Sequence, residues 1–169
     1  MKPAAKQRAS APAIDFQVQS PLWDAQPAAE QTMRAAIAAA AERVPADGEM
    51  SVVLTDDAAI RALNRDWRSI DKPTNVLSFP AAPVERELGG SLGDLVICAP
   101  VVAAEAREQR KARPEHWAHM VVHGVLHLHG YDHETARQAR VMEGLEVEIL
   151  RGFGYQDPYR PVTSPNHER

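Results

Sequence analysis

PEHWAHMVVHGVLHLHGYDH, residues 114–133, holds six of the seven histidines of the 169-residue chain. Trp117, Met120, Val121 and Leu128 recur at helical spacing, Pro114 suits a first helical turn, and Gly130 suits the left-handed residue that ends a helix. On that helix His123 and His127 stand four residues apart, so their imidazoles leave one face and can share a metal. Gly130 then reverses the chain and brings His133 toward the same face as a third ligand. Three neutral imidazoles around a zinc ion leave a fourth position open for water, as in catalytic sites. Water in such a position has its pKa lowered to about 7, which points to hydrolysis.

The spacing matches the metzincin pattern H-E-x-x-H-x-x-G-x-x-H at His123, His127, Gly130 and His133. The glutamate that serves there as general base is replaced by Gly124, so the protease machinery lacks its base. His116 and His119 lie seven and four residues before His123, and supporting roles suit them better than ligation. His129 belongs to another face of the helix. Asp132 either holds a ligand imidazole through its second nitrogen or caps the next helix; the sequence favours neither reading.

Working outward, strand and helix signals alternate. Ile14 to Val18 alternates apolar and polar residues, and Met50 to Leu54 is a valine-rich strand. Between them the alanine-rich stretch Pro27 to Arg43 predicts a helix stopped by Pro45 and Gly48. Thr55 or Asp56 can cap a helix whose Ile60, Leu63 and Trp67 form an apolar stripe, which favours the core for Trp67 over the alternative that it, like Tyr131, stacks on unpaired bases. Asn75 to Phe79 and Leu92 to Cys98 complete four strands, and Pro100 opens a further helix. A last helix carries Met142, Leu145 and Ile149 on one face. The expected fold is α+β: one domain over 13–156, a small mixed sheet of about four strands against about five helices, with a histidine helix-turn-histidine metal site.

Residues 1–12 and 157–169, rich in Pro, Ser and charge, are expected to be flexible tails. A formal charge of −4 neither requires nor excludes a polyanionic partner. Two local basic clusters, Arg61, Arg65, Arg68 and Lys72 and then Arg107, Arg110, Lys111 and Arg113, can hold phosphates or serve as solvated helix faces. Cys98 is the single cysteine, so no internal disulfide or cysteine-rich zinc module forms, and a reducing compartment fits. Lys2, Lys6 and Arg8 interrupt the first residues, which lack a signal-peptide core, and the apolar run Ala35 to Ala41 is too short to span a bilayer. The cytoplasm, without a membrane role, is the expectation.

The segment His123-Gly-Val-Leu-His127-Leu-His-Gly130-Tyr131-Asp132-His133 resembles the H-G-x-L-H-L-x-G-Y-D-H signature of the YbeY family, bacterial endoribonucleases of ribosomal RNA maturation. Asn64 to Pro80, with Arg68 and the run Asp71-Lys-Pro-Thr-Asn75, is similar to that family's upstream block, and Leu92-Gly-Asp-Leu95 to its glycine-aspartate strand. Asn75 stands where the family often carries aspartate. The resemblance implies one zinc ion per chain on His123, His127 and His133, with Arg68 and His123 as catalytic positions. It further implies single-stranded RNA as substrate in maturation of the 16S rRNA 3′ end and in ribosome quality control. The small ribosomal subunit and assembly factors are the implied partners, and no DNA is expected. A metallohydrolase for another substrate, peptides included, and an assembly factor with a structural metal are the alternatives.

Overall fold

The computed structural model describes residues 12–44, 48–84, 88 and 90–160. Pro45, the expected helix stop, and most of both expected tails lie outside these residues. Four segments with alternating or continuous apolar patterns pair into one sheet: β1 (Ala13–Val18), β2 (Glu49–Thr55), β3 (Val76–Pro80) and β4 (Ser91–Cys98). Their order is β1-β2-β4-β3, with β1, β2 and β4 parallel and β3 antiparallel on the edge. The central strand β4 is buried along nearly its whole length, as expected of a strand covered on both faces. Gly93 takes φ +129° where β3 ends, and a Cβ there would lie 2.2 Å from the Phe79 carbonyl oxygen, so no other residue fits.

Helix α1 (Ala29–Arg43) starts two residues later than the sequence suggests and packs Met33, Ala36, Ile37, Ala40 and Ala41 inward. Its small side chains let it approach α4 (Arg113–Leu128), the histidine helix. Helix α3 (Ala99–Glu108) carries Pro100 in its first turn, as the sequence suggests. Helix α5 (Ala136–Arg151) is started by a capping box between Thr135 and Gln138 and packs on α1 and α4. A short 3-10 helix, Pro21–Ala25, was not anticipated; Ser20 caps it, and it seats Trp23 6.4 Å from Trp117 in the main core. The architecture is therefore the expected α+β domain, with a four-stranded mixed sheet and the five α-helices named here among the described residues.

Helix α2 (Asp57–Arg68) departs from expectation in one respect. Asp56 caps it, with Oδ1 accepting from the Ala59 amide, and Ile60 and Asn64 are its buried residues. Trp67, assigned to the core from its spacing, is 71% exposed. The buried stripe ends with Asn64, whose side chain donates to the Lys72 carbonyl, and Trp67 lies one turn further, edge-on to Phe79 at the border of the sheet. Among the described residues no helix is long and apolar enough to cross a membrane.

Candidate functional site

The histidine helix ends as its glycine requires. Gly130 adopts φ +92°, its amide donates to the His127 carbonyl, and the Tyr131 amide donates to the Leu126 carbonyl. This pair of bonds is a Schellman ending, which satisfies the last carbonyls and folds the chain back. His133 thereby returns to the helix face that carries His123 and His127. The ring centroids are 4.6 Å apart for His123 and His127, 5.0 Å for His127 and His133, and 5.6 Å for His123 and His133. Three imidazoles on one tetrahedral ion with bonds of about 2.0–2.1 Å have centroids about 5 Å apart, so the arrangement fits a divalent ion. Burial, together with the neighbouring His123 and His133, lowers the pKa of His127, which favours the neutral ring that a metal needs.

The carboxylate behind these rings was not found from sequence. Glu146, on α5, is completely buried, and the His123 Nδ1–H donates to its Oε2 over 2.5 Å. The Tyr159 hydroxyl donates to the other oxygen, and His119 Nε2 lies 3.7 Å from Oε2. Burial works against the charge, but the nearby His119 and the hydrogen bond from His123 outweigh it and hold the carboxyl at about 2, well below its ordinary range. Burial pushes His119 the other way, toward its neutral form. His119, His123 and Glu146 also lie close enough to suggest an ion. Donor atoms sharing a tetrahedral ion are about 3.3 Å apart, whereas His123 Nδ1 and Glu146 are already in hydrogen-bond contact, so this group orients a ligand. The bond occupies Nδ1 and leaves Nε2 of His123 for the cavity.

That cavity, of about 510 Å³, is lined by His123, His127 and His133 together with Arg68, Asn75 and Ser78. All the residues singled out from sequence as ligands or catalytic groups therefore meet at one place. Asn75 is fixed there by its amide, which donates to Glu105, and by its Oδ1, which accepts from the Val76 amide. His116 braces the same carboxylate at 2.8 Å. Burial opposes the charge of Glu105, but hydrogen bonds from His116 and Asn75 prevail and lower its pKa. The supporting roles expected of His116 and His119 thus have definite partners. Asp132 takes neither role weighed for it: its Oδ1 accepts from the His133 amide, and Thr135 caps α5. Residues 157–160, assigned from sequence to the tail, include Tyr159, which closes over Glu146. None of Arg107, Arg110, Lys111 and Arg113 lines the cavity. In the other basic cluster Arg61 pairs with Asp71 and Arg65 with Asp66, while Arg68 has no hydrogen bond or ion pair among the described residues.

Gly124 faces the sheet rather than the cavity. A Cβ at this position would lie 2.7 Å from the Leu95 side chain on β4, so the glycine permits close helix-sheet packing. A glutamate here would be forced into the core. Gly124→Glu is expected to lower stability by at least about 2 kcal/mol, from overpacking and an unpaired buried carboxyl, and to confer no peptidase activity. The urea unfolding midpoint and a casein assay measure the two effects.

An α+β domain whose open cavity gathers three imidazoles that could hold a divalent ion, one of them braced by a buried carboxylate, with an arginine that has no ion pair among the described residues, defines a candidate metal-site protein. The profile of the endoribonuclease YbeY family matches residues 15–154. An endoribonuclease YbeY of Alkalilimnicola ehrlichii is 54% identical over 157 residues, covering 89% of this chain and 93% of the relative. One of a Bradyrhizobium species is 48% identical over 156 residues, covering 88% and 92%. The solution structure of TM1509 from Thermotoga maritima shares the fold at a TM-score of 0.51 and 22% identity, covering 88% of this chain and 99% of the other. The chain belongs to the endoribonuclease YbeY family.

Proposed function

We propose that this protein is a zinc-dependent endoribonuclease that cuts single-stranded precursor rRNA, acting in the cytoplasm at the 3′ end of 16S rRNA and in ribosome quality control. The small ribosomal subunit and its assembly factors are the proposed setting. One observation carries the reading: the cavity joins three converging imidazoles to Arg68, whose neighbours Arg61 and Arg65 pair with acids while it pairs with none among the described residues. His123, His127 and His133 would hold one zinc ion per chain. When bound, the ion supplies positive charge and lowers the pKa of water at the fourth position.

The chain's own residues do the rest. Arg68 presents a planar fork that matches two phosphate oxygens, and it compensates the charge that gathers on them as the phosphodiester bond breaks. Glu146 fixes the tautomer and the orientation of His123. Asn75, locked by Glu105, forms a rigid polar wall. The packing of Gly124 against Leu95 counts against the peptidase alternative, because it removes the position from which that class draws its base.

The test is cleavage of a single-stranded RNA bearing the 3′ precursor end of small-subunit rRNA. Zinc-loaded protein is expected to cut it, chelation to stop cutting, and added zinc to restore it. Cutting unaffected by chelation would remove the metal from the reading; no cutting in any state would remove the nuclease. Glu146→Gln keeps a similar shape but loses the charge, and is expected to weaken zinc binding about 10- to 100-fold in a competition titration with a chelating dye.

A further inference from the structure

On the α2 side of the sheet lies a second depression, of about 610 Å³, with Leu63, Trp67, Phe79 and Val96 in its apolar walls and Ser51 and Asp94 among its polar residues. Trp67 overhangs it, 71% exposed, with its ring centroid 6.0 Å from that of Phe79 at an interplanar angle of 70°. An indole left open to solvent beside a second aromatic ring offers a flat stacking surface. The depression borders the histidine cavity: Pro80 lines both, and Trp67 is followed in the chain by Arg68, which lines the cavity. The edge strand β3 forms the partition, with Val76 and Ser78 lining the cavity and Phe79 lining the groove.

We propose that this groove is a nucleobase subsite, in which an unpaired base next to the scissile phosphate stacks on Trp67 while that phosphate is held at Arg68. The proposal rests on the ribonuclease reading and adds to it where the strand runs and which residue holds a base. Charge sets the polarity of the strand. Phe79 and Asp94 are register partners on adjacent strands, as are Asp94 and Ser51, and the Ser51 hydroxyl donates to Asp94 over 2.5 Å. The carboxylate repels a phosphate from the groove, whereas Arg68, without an acidic partner among the described residues, attracts one to the cavity. A neutral base therefore enters the groove and the backbone stays outside it. Stacking of this kind tolerates any base, because every base has a π face.

The tryptophans make the subsite readable. Trp23 and Trp117 are each only 4% exposed, so fluorescence changes on adding RNA report chiefly on Trp67. Titration of the metal-free full-length protein with a short single-stranded RNA is expected to quench and blue-shift the emission. Trp67→Leu is expected to abolish that change and to raise KM about 5- to 150-fold with kcat altered little, while Trp67→Phe recovers most of the loss. An RNA lacking the base beside the cut should show the same penalty with wild type and no further penalty with Trp67→Leu. RNA that is cut with no change in Trp67 emission and an unaltered KM in Trp67→Leu would overturn the subsite and leave the nuclease intact. Quenching without cutting would remove the nuclease and, with it, the placement of the base beside a scissile phosphate, leaving only base stacking on Trp67.

Discussion

His127→Ala is expected to reduce RNA cleavage about 10³-fold or more while leaving the metal-free fold intact. Two imidazoles, His123 and His133, remain after the substitution, and a two-ligand site neither fixes the ion nor holds its charge beside the phosphate. The side chain removed is partly exposed on the cavity wall and is no member of the buried core, so its loss changes metal-free stability by only about 1 kcal/mol. The two effects separate the nuclease from an assembly factor with a structural metal. If zinc mainly holds the fold, chelated wild type and His127→Ala should both unfold. If the site is catalytic, both should melt cooperatively, and zinc should raise the melting temperature of wild type alone. The variant purified in parallel also controls for contaminating nuclease, since equal cutting by both proteins would remove the activity from this cavity.

How much of this was legible in the sequence follows the range of the interactions. The ligand triad lies within eleven residues of one helix and its turn, so the fourfold spacing of His123 and His127 and the left-handed Gly130 are local facts that survive folding. The strands were legible because β1 alternates and the second half of β4, Leu95 to Cys98, is a continuous apolar run. Glu146 belongs to the next helix, and its role arises only when α5 packs on α4. Its signal was nonetheless present: a carboxylate in the buried stripe of Met142, Ile149 and Leu150 needs a partner. Tyr159 carried no such signal, because residues that look like a polar tail gave no hint of docking. The core reading of Trp67 fails, leaving the stacking alternative, because helical periodicity gives the face of a helix but not where the neighbouring sheet ends. Gly124 was legible as a missing glutamate, yet its cause, the Leu95 side chain of a strand nearly thirty residues earlier, was not.

Arg68→Ala is expected to lower kcat about 10²- to 10³-fold, the loss that follows removal of one preorganised donor to a charge that grows in the transition state. The last turn of α2 and its exit hold Arg68 in place. Ser69 ends the helix in the left-handed conformation at φ 62°, its amide donating to the Arg65 carbonyl, and the buried Asn64 side chain secures the following loop at Lys72. The guanidinium is thus carried on a fixed backbone while remaining exposed and, among the described residues, without a hydrogen bond or ion pair, so folding does not depend on it. Stability should change by no more than about 0.5 kcal/mol, as for other exposed positions. Arg68→Lys keeps the charge but loses the planar fork, so partial recovery is expected, short of wild type. Arg65→Ala is the control: three residues earlier on the same helix, its charge is already paired with Asp66, and its removal should change cleavage only about two- to threefold. The division between KM and kcat decides the mechanism. A fall in kcat with KM unchanged places Arg68 on the charge that develops as the bond breaks. A rise in KM alone would reduce it to a docking point for the RNA backbone and leave transition-state stabilisation to the histidine site.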